Sequence, residues 1–166
     1  MSDAEVVCDA GPLIHLDELS SLDLLADFAT VWIPRTVAGE VARHRPRALG
    51  EPPFAARRPR SEAEPEDPRL GAVIRAFSLD AGEVSALGVA LGCPGAILLT
   101  DDAAARLAAK SLGVPSYGTL GVVLRALRRG LRSRAQVLEL LGSIPNRSSL
   151  HLSRAILDEA IQRTAG

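Results

Sequence analysis

The chain is predicted to fold as an α/β three-layer sandwich: a central, mostly parallel sheet with helices on both faces and further helices toward the C-terminus. Two observations predict this. Apolar runs with strand character, Val6-Val7-Cys8, Thr30-Val31-Trp32-Ile33 and Ala96-Ile97-Leu98-Leu99-Thr100, alternate with segments of helical apolar spacing, and that alternation builds a parallel sheet covered on both sides. Acidic residues also close the first and last of these runs, Asp9 in one and Asp101-Asp102 in the other. Sheets of this class bind ligands at the carboxyl ends of their strands.

Taken in order, Val6 to Cys8 form a short buried strand. Asp9-Ala10-Gly11-Pro12 then turns the chain into a helix carrying Leu13, Leu16 and Leu19. Ser20-Ser21 caps a second helix with Leu22, Leu25 and Phe28. The strand Thr30 to Ile33 follows, and then a helix that Pro34 opens at its first position. Residues 43–69 are rich in Pro and Arg, lack apolar periodicity and include the acidic tract Glu62-Ala63-Glu64-Pro65-Glu66-Asp67, so they are predicted to be a mobile loop. Ala72 to Phe77 reads as a short strand, and Asp80 opens a helix through about Leu91. Ala96 to Thr100 is the clearest buried strand. Asp101-Asp102 lead into an Ala-rich helix that Gly113 ends, and Val114 to Tyr117 is a last short strand. Helices are expected from Thr119 to Arg129, from Ser133 to Leu141 with a Ser-x-x-Gln capping box, and from Ser153 to Arg163.

The whole of 1–166 is expected to form a single domain, since 166 residues with 47% hydrophobic and 23% charged content match one soluble core. A net charge of −1 gives no global attraction to nucleic acid, so the 19 Lys and Arg would have to act through local clusters. Aromatic residues, at 3%, are too few for a base-stacking platform. Cys8 and Cys93 lack metal-ligand spacing and are expected to be reduced thiols. The acidic N-terminus argues against a secretory signal. The longest uncharged stretch is broken by Gly92-Cys93-Pro94-Gly95, so no membrane span is expected and the predicted location is cytoplasmic.

The chemistry concentrates on acids beside apolar segments. Asp9 is either a metal ligand at the end of the first strand or the cap of the next helix. Glu40 shares a helical face with Thr36, Val37 and Val41, which makes it either an inward carboxylate needing a partner or an edge residue paired to arginine. Asp80 and Glu83 fit an acidic capping box, while Glu83 also aligns with the buried Ala86, Leu87 and Ala90. Of the final pair, Asp101 is expected to face the site, and Asp102 to cap the helix or support the metal from behind it. Carboxylates in this number suit Mg2+ or Mn2+. His15, His44 and His151 are scattered, which disfavours a zinc hydrolase and makes each a surface or core histidine. No Gly-x-Ser-x-Gly elbow is present. The Asp-x-Asp of a haloacid-dehalogenase-type phosphatase is also missing, because Gly11 stands where its second acid would be.

Val6-Val7-Cys8-Asp9-Ala10-Gly11-Pro12-Leu13, Ile33-Pro34 through Glu40-Val41, Gly82-Glu83, Leu98-Leu99-Thr100-Asp101-Asp102 with Ala105-Arg106, and Gly118-Thr119-Leu120-Gly121 run across most of the chain. In these segments it resembles the PIN domain family, in the bacterial VapC-like branch. The resemblance implies that Asp9, Glu40, Glu83 and Asp101 are the family's acidic quartet, associated with Mg2+ or Mn2+ and with RNA hydrolysis. It also implies a homodimer and, for toxin members, an antitoxin protein as partner. Glu83 stands where many toxins of the family carry Asp.

The expected activity is that of a metal-dependent endoribonuclease of VapC-like toxin type. Asp9 and Asp101 would hold the principal metal, Glu83 would complete its shell, and Glu40 would orient a water or bind a second ion. The alternative is a catalytically silent PIN-like module that binds nucleic acid or protein. Arginines at 43–60, or Arg125, Arg128, Arg129, Arg132 and Arg134, would meet RNA phosphates. For the second cluster, a solvated helix face whose charges complement the helix dipole before Gly130 is the reading preferred over RNA contact.

Overall fold

In the computed structural model of the protein, which describes residues 3–60 and 67–166, the first apolar run becomes strand β1 (Glu5–Cys8). Val6, Val7 and Cys8 are wholly buried, as a strand covered on both faces requires. Strand β2 (Thr30–Trp32) lies on one side of β1, with β3 (Ala56–Arg57) outside it. Strand β4 (Ile97–Leu99) lies on the other, with β5 (Ser116–Tyr117) outside it. Every pairing in this order, β3-β2-β1-β4-β5, is parallel. The chain builds outward from β1 through β2 and β3, then returns to the opposite side of β1 for β4 and β5. The crevice at the carboxyl ends of β1 and β4 is therefore the point where strand order reverses. The register Cys8 to Leu99 and the bond from Asp9 N to Leu99 O (2.9 Å) set Asp9 and Asp101 on its two sides.

Helices cover both faces, giving the three layers expected. Helix α1 (Ala10–Glu18) buries Ala10, Pro12, Leu13 and Leu16 and packs against α2 (Arg35–His44). Helix α3 (Pro68–Phe77) packs on α5 (Ala103–Ser111), while α4 (Ala81–Gly92) lies along β1 and β4 and also meets α2. Helix α6 (Thr119–Arg128) returns to α1. Beyond it, α7 (Arg134–Arg147) and α8 (Arg154–Ala165) pack in succession. Gly113 (φ 76) and Gly130 (φ 68) end their helices in the left-handed region that favours glycine. Among the described residues no helix is long and apolar enough to cross a membrane.

Several expectations need correction. Ala72 to Phe77 is not a strand but part of α3: Asp67 accepts from Arg69 N, Pro68 sits in the first turn, and Leu70, Val73, Ile74 and Phe77 recur at helical spacing toward the core. The segment 43–69 is not loop throughout. Ala48 and Phe54 enter the core, Ala56–Arg57 pairs with Val31–Trp32 as an edge strand, and the segment ends inside α3. Residues 61–66, most of its acidic tract, lie outside the described residues. Ser20-Ser21 leads into a 3-10 turn, Leu22–Asp27, rather than an α-helix, and Pro34 precedes α2 instead of opening it. Helix α7 runs past Leu141 to Arg147 and buries Ile144.

Candidate metal centre

Asp9 takes the capping role that its sequence position allowed and also ties β1 to the end of β4. Its Oδ1 accepts from Ala10 N (2.8 Å), capping α1, and its Oδ2 accepts from Thr100 Oγ1 (2.9 Å) at the end of β4. Only 7% of the residue is exposed. Burial pushes the carboxyl up to about 6. The two hydrogen bonds oppose that rise, while Asp80 and Glu40 add to it.

Glu40 reaches the same place from α2. Its Oε2 stands 3.1 Å from the point a β-carbon on Gly82 would occupy, and Asp80 Oδ1 and Asp9 Oδ1 stand 3.4 and 3.7 Å from that point. Three carboxylate oxygens, from the end of β1, from α2 and from the start of α4, thus border the small space above a buried glycine. The Glu40 carboxylate has no hydrogen-bond or ion-pair partner among the described residues; only its carbonyl is used, by His44.

Asp80 and Glu83 form the capping box of α4. Asp80 Oδ1 accepts from Glu83 N and Glu83 Oε2 accepts from Asp80 N, both at 2.9 Å. Burial pushes Glu83 up to about 7. The bond from Asp80 N restrains the rise, and the charges of Asp80, Asp102 and Asp9 increase it. Capping and membership of the acidic cluster are therefore compatible. Asp102 caps α5 by accepting from Ala105 N (2.7 Å).

Asp101 is placed differently. Its Oδ1 accepts from Thr119 N (2.6 Å), and its Oδ2 accepts from Thr119 Oγ1 (2.6 Å) and His15 Nδ1 (2.7 Å). An ionised carboxylate only accepts, so Nδ1 carries the hydrogen. A carboxylate offers about four lone-pair directions, so most of those on Asp101 are engaged. Gly118 makes this clasp possible, since a β-carbon there would lie 2.6 Å from Asp101 Oδ1. His15 is accordingly neither a bare surface residue nor a core residue but a partner of Asp101.

The donor chemistry fits a hard divalent cation: several carboxylates, a Glu40 carboxylate unpartnered among the described residues, and two acids, Asp9 and Glu83, raised by burial and by neighbouring carboxylates. Asp9, Glu40 and Glu83 would hold such an ion, with Asp80 beside them and Asp101 contributing its remaining lone pair. As the side chains stand, no three His, Cys, Asp or Glu among the described residues converge tightly enough to ligate one. Closing the site therefore needs rotation of flexible carboxylates, with Glu40 the least restrained.

Of the arginines on α6 and just after it, four are engaged within the fold rather than simply solvated. Arg125 and Arg129 turn onto buried Asp27 (2.8 and 3.2 Å), Arg125 also stacks over Phe28, Arg132 pairs with Asp23 (2.6 Å), and Arg134 donates to Ala165 O (2.9 Å). Both cysteines are free thiols, and burial raises the pKa of Cys8.

Sequence reasoning left Asp80 as a cap only and missed Thr119 and His15. The available signal was the i, i+4 pair Gly11 and His15, which sets the imidazole beside the end of β4.

No curated protein matches the chain. A protein-family profile described as a PIN domain matches residues 5–165. PIN domains are generally nucleases that use divalent metal ions. On this match, and with a five-stranded parallel sheet between helical layers, the chain belongs to the PIN domain family.

Proposed function

We propose that the protein is a Mg2+- or Mn2+-dependent endoribonuclease of VapC-like toxin type. The observation that carries this reading is the approach of Asp9, Glu40 and Asp80 oxygens to one point above Gly82, beside Glu83, at the strand-order reversal. So much negative charge in a half-buried crevice is costly unless a cation offsets it.

When bound, the cation supplies acidification of a water and neutralisation of charge on the phosphoryl oxygens. Asp9, fixed by Ala10 N and Thr100 Oγ1, is the rigid donor. Glu83 supplements it from the start of α4. Glu40 Oε2, with no partner among the described residues, orients the attacking water and accepts its proton. Asp101, clasped by Thr119 and His15, fixes the far wall of the crevice. In-line attack on a phosphodiester breaks the bond to the 3′ oxygen and leaves a 5′-phosphate and a 3′-hydroxyl. Family resemblance supports a homodimer with RNA as substrate and, in toxin members, an antitoxin protein as partner.

One observation favours a second reading, a catalytically silent PIN-like module that binds nucleic acid or protein: most of the lone pairs of Asp101 are taken by protein donors rather than left open. Incubating an RNA pool with the protein and Mn2+ separates the two. The nuclease reading expects 5′-phosphorylated products that vanish with chelator and in Asp9→Asn. Intact RNA with the wild type, or full cleavage by Asp9→Asn, overturns it.

A further inference from the structure

An open groove of about 690 Å³ runs beside Asp101, lined by Ala103, Arg106, Leu107 and Lys110 of α5 and by residues 113–116 leading into β5. Arg106 joins this groove to the acidic crevice. Its Nη1 donates to Asp101 O (3.3 Å) and stands 3.2 Å from where a β-carbon on Gly118 would be. Neither Arg106 nor Lys110 has a carboxylate partner among the described residues, whereas Arg125, Arg129 and Arg132 each have one. Leu107, on the same helix face, is 56% exposed.

This distribution is informative because the crevice is acidic and its proposed substrate is a polyanion. Four or more carboxylates repel an approaching phosphodiester, so a strand needs local cations at the entrance. A guanidinium held by one of its five N–H groups keeps the rest of its fork for a phosphate. Lys110, one helical turn further along, offers a second positive charge in line with the first.

We propose that this groove is the entry path of the RNA strand, with Arg106 gripping the phosphate next to the one cleaved and Lys110 gripping its neighbour. The proposal rests on the ribonuclease reading for the identity of the strand, and it commits to the sugar-phosphate backbone rather than to base sequence. Arg106 is a phosphate-positioning residue that acts before chemistry.

The test is fluorescence anisotropy of a short labelled single-stranded RNA, in chelator so that cleavage cannot intervene, over a range of salt. Lys110→Ala, exposed and safe for folding, and Arg106→Ala should each weaken binding and lower the slope of log affinity against log salt by about 0.7, the loss of one phosphate contact. Arg106→Lys should keep the slope with reduced affinity, and Arg154→Ala, on α8, should match the wild type. Unchanged affinity and slope in both alanine variants of a protein that cleaves RNA would overturn the groove assignment alone. A wild type that neither binds nor cleaves RNA would overturn both readings. Saturation by polyglutamate without RNA affinity would reassign the groove to an acidic protein partner.

Discussion

Glu40 and Gly82 are matched by size: the carboxylate from α2 reaches to 3.1 Å from the position a side chain on Gly82 would need. A β-carbon there would push aside Glu40, whose carboxylate has no other tether among the described residues. Gly82→Ala should therefore leave stability unchanged or raise it by up to about 1 kcal/mol, since alanine favours a helix. Manganese affinity should fall about tenfold or more, as when the support of a ligand is lost. Titration calorimetry beside urea unfolding checks both, and unaltered affinity would contradict this role for Glu40.

Gly118 is matched to Asp101 more tightly still. A β-carbon 2.6 Å from Asp101 Oδ1, with Arg106 Nη1 at 3.2 Å, cannot be absorbed by rotation alone, because Asp101 is bonded to Thr119 and His15. Gly118→Ala should cost about 1–3 kcal/mol, the usual range for overpacking. A chemical denaturation midpoint equal to that of wild type would show that the clasp yields freely.

The acids also set a pH dependence. Asp9 is pushed up to about 6 and Glu83 up to about 7, in each case by burial first. Above their ordinary values and below these raised ones, the folded protein holds more protons than the unfolded chain, so their contribution to stability is lost as pH rises. The thermal midpoint of metal-free protein should be higher near about pH 5.5 than near about pH 8. Mn2+ should reverse the order, because it binds the deprotonated acids. A metal-free midpoint that climbs across this window would contradict the raised values.

Asp27 should matter for stability and not for RNA. It is 4% exposed and receives Arg125 and Arg129, both of which keep partial solvent contact. Asp27→Ala strands two cations and should cost about 2 kcal/mol, below the range for a fully buried pair. Arg125→Ala should lower stability while leaving RNA affinity intact, and anisotropy on the folded variant checks the second half.

The sheet centre was legible because Val6-Val7-Cys8 and Ile97-Leu98-Leu99 are apolar and lead, directly or through Thr100, to an acid, a pattern that needs no long-range information. The edges were not. Ala56–Arg57 is two exposed residues inside a Pro/Arg-rich stretch, and only its pairing with β2 makes it a strand. Ala72 to Phe77 was misread because a short apolar run does not distinguish strand from buried helix; Asp67-Pro68 just upstream carried the helix-start signal. Oxygens of Asp9, Glu40 and Asp80 border one point above Gly82, since positions at a strand end, on α2 and at the start of α4 fix them relative to the sheet. What stayed hidden was side-chain commitment. Spacing cannot tell that Asp101 is spent on His15 and Thr119, or that Asp80 faces Glu40 while also capping α4.

Anomalous diffraction from crystals soaked in manganese at alkaline pH addresses the metal centre most directly. The expected result is a peak above Gly82 within coordination distance of Asp9, Glu40 and Glu83, about 2.0–2.2 Å for a small divalent ion on oxygen, and its loss in Asp9→Asn. No peak in the wild type, or one seated away from these carboxylates, would contradict the account.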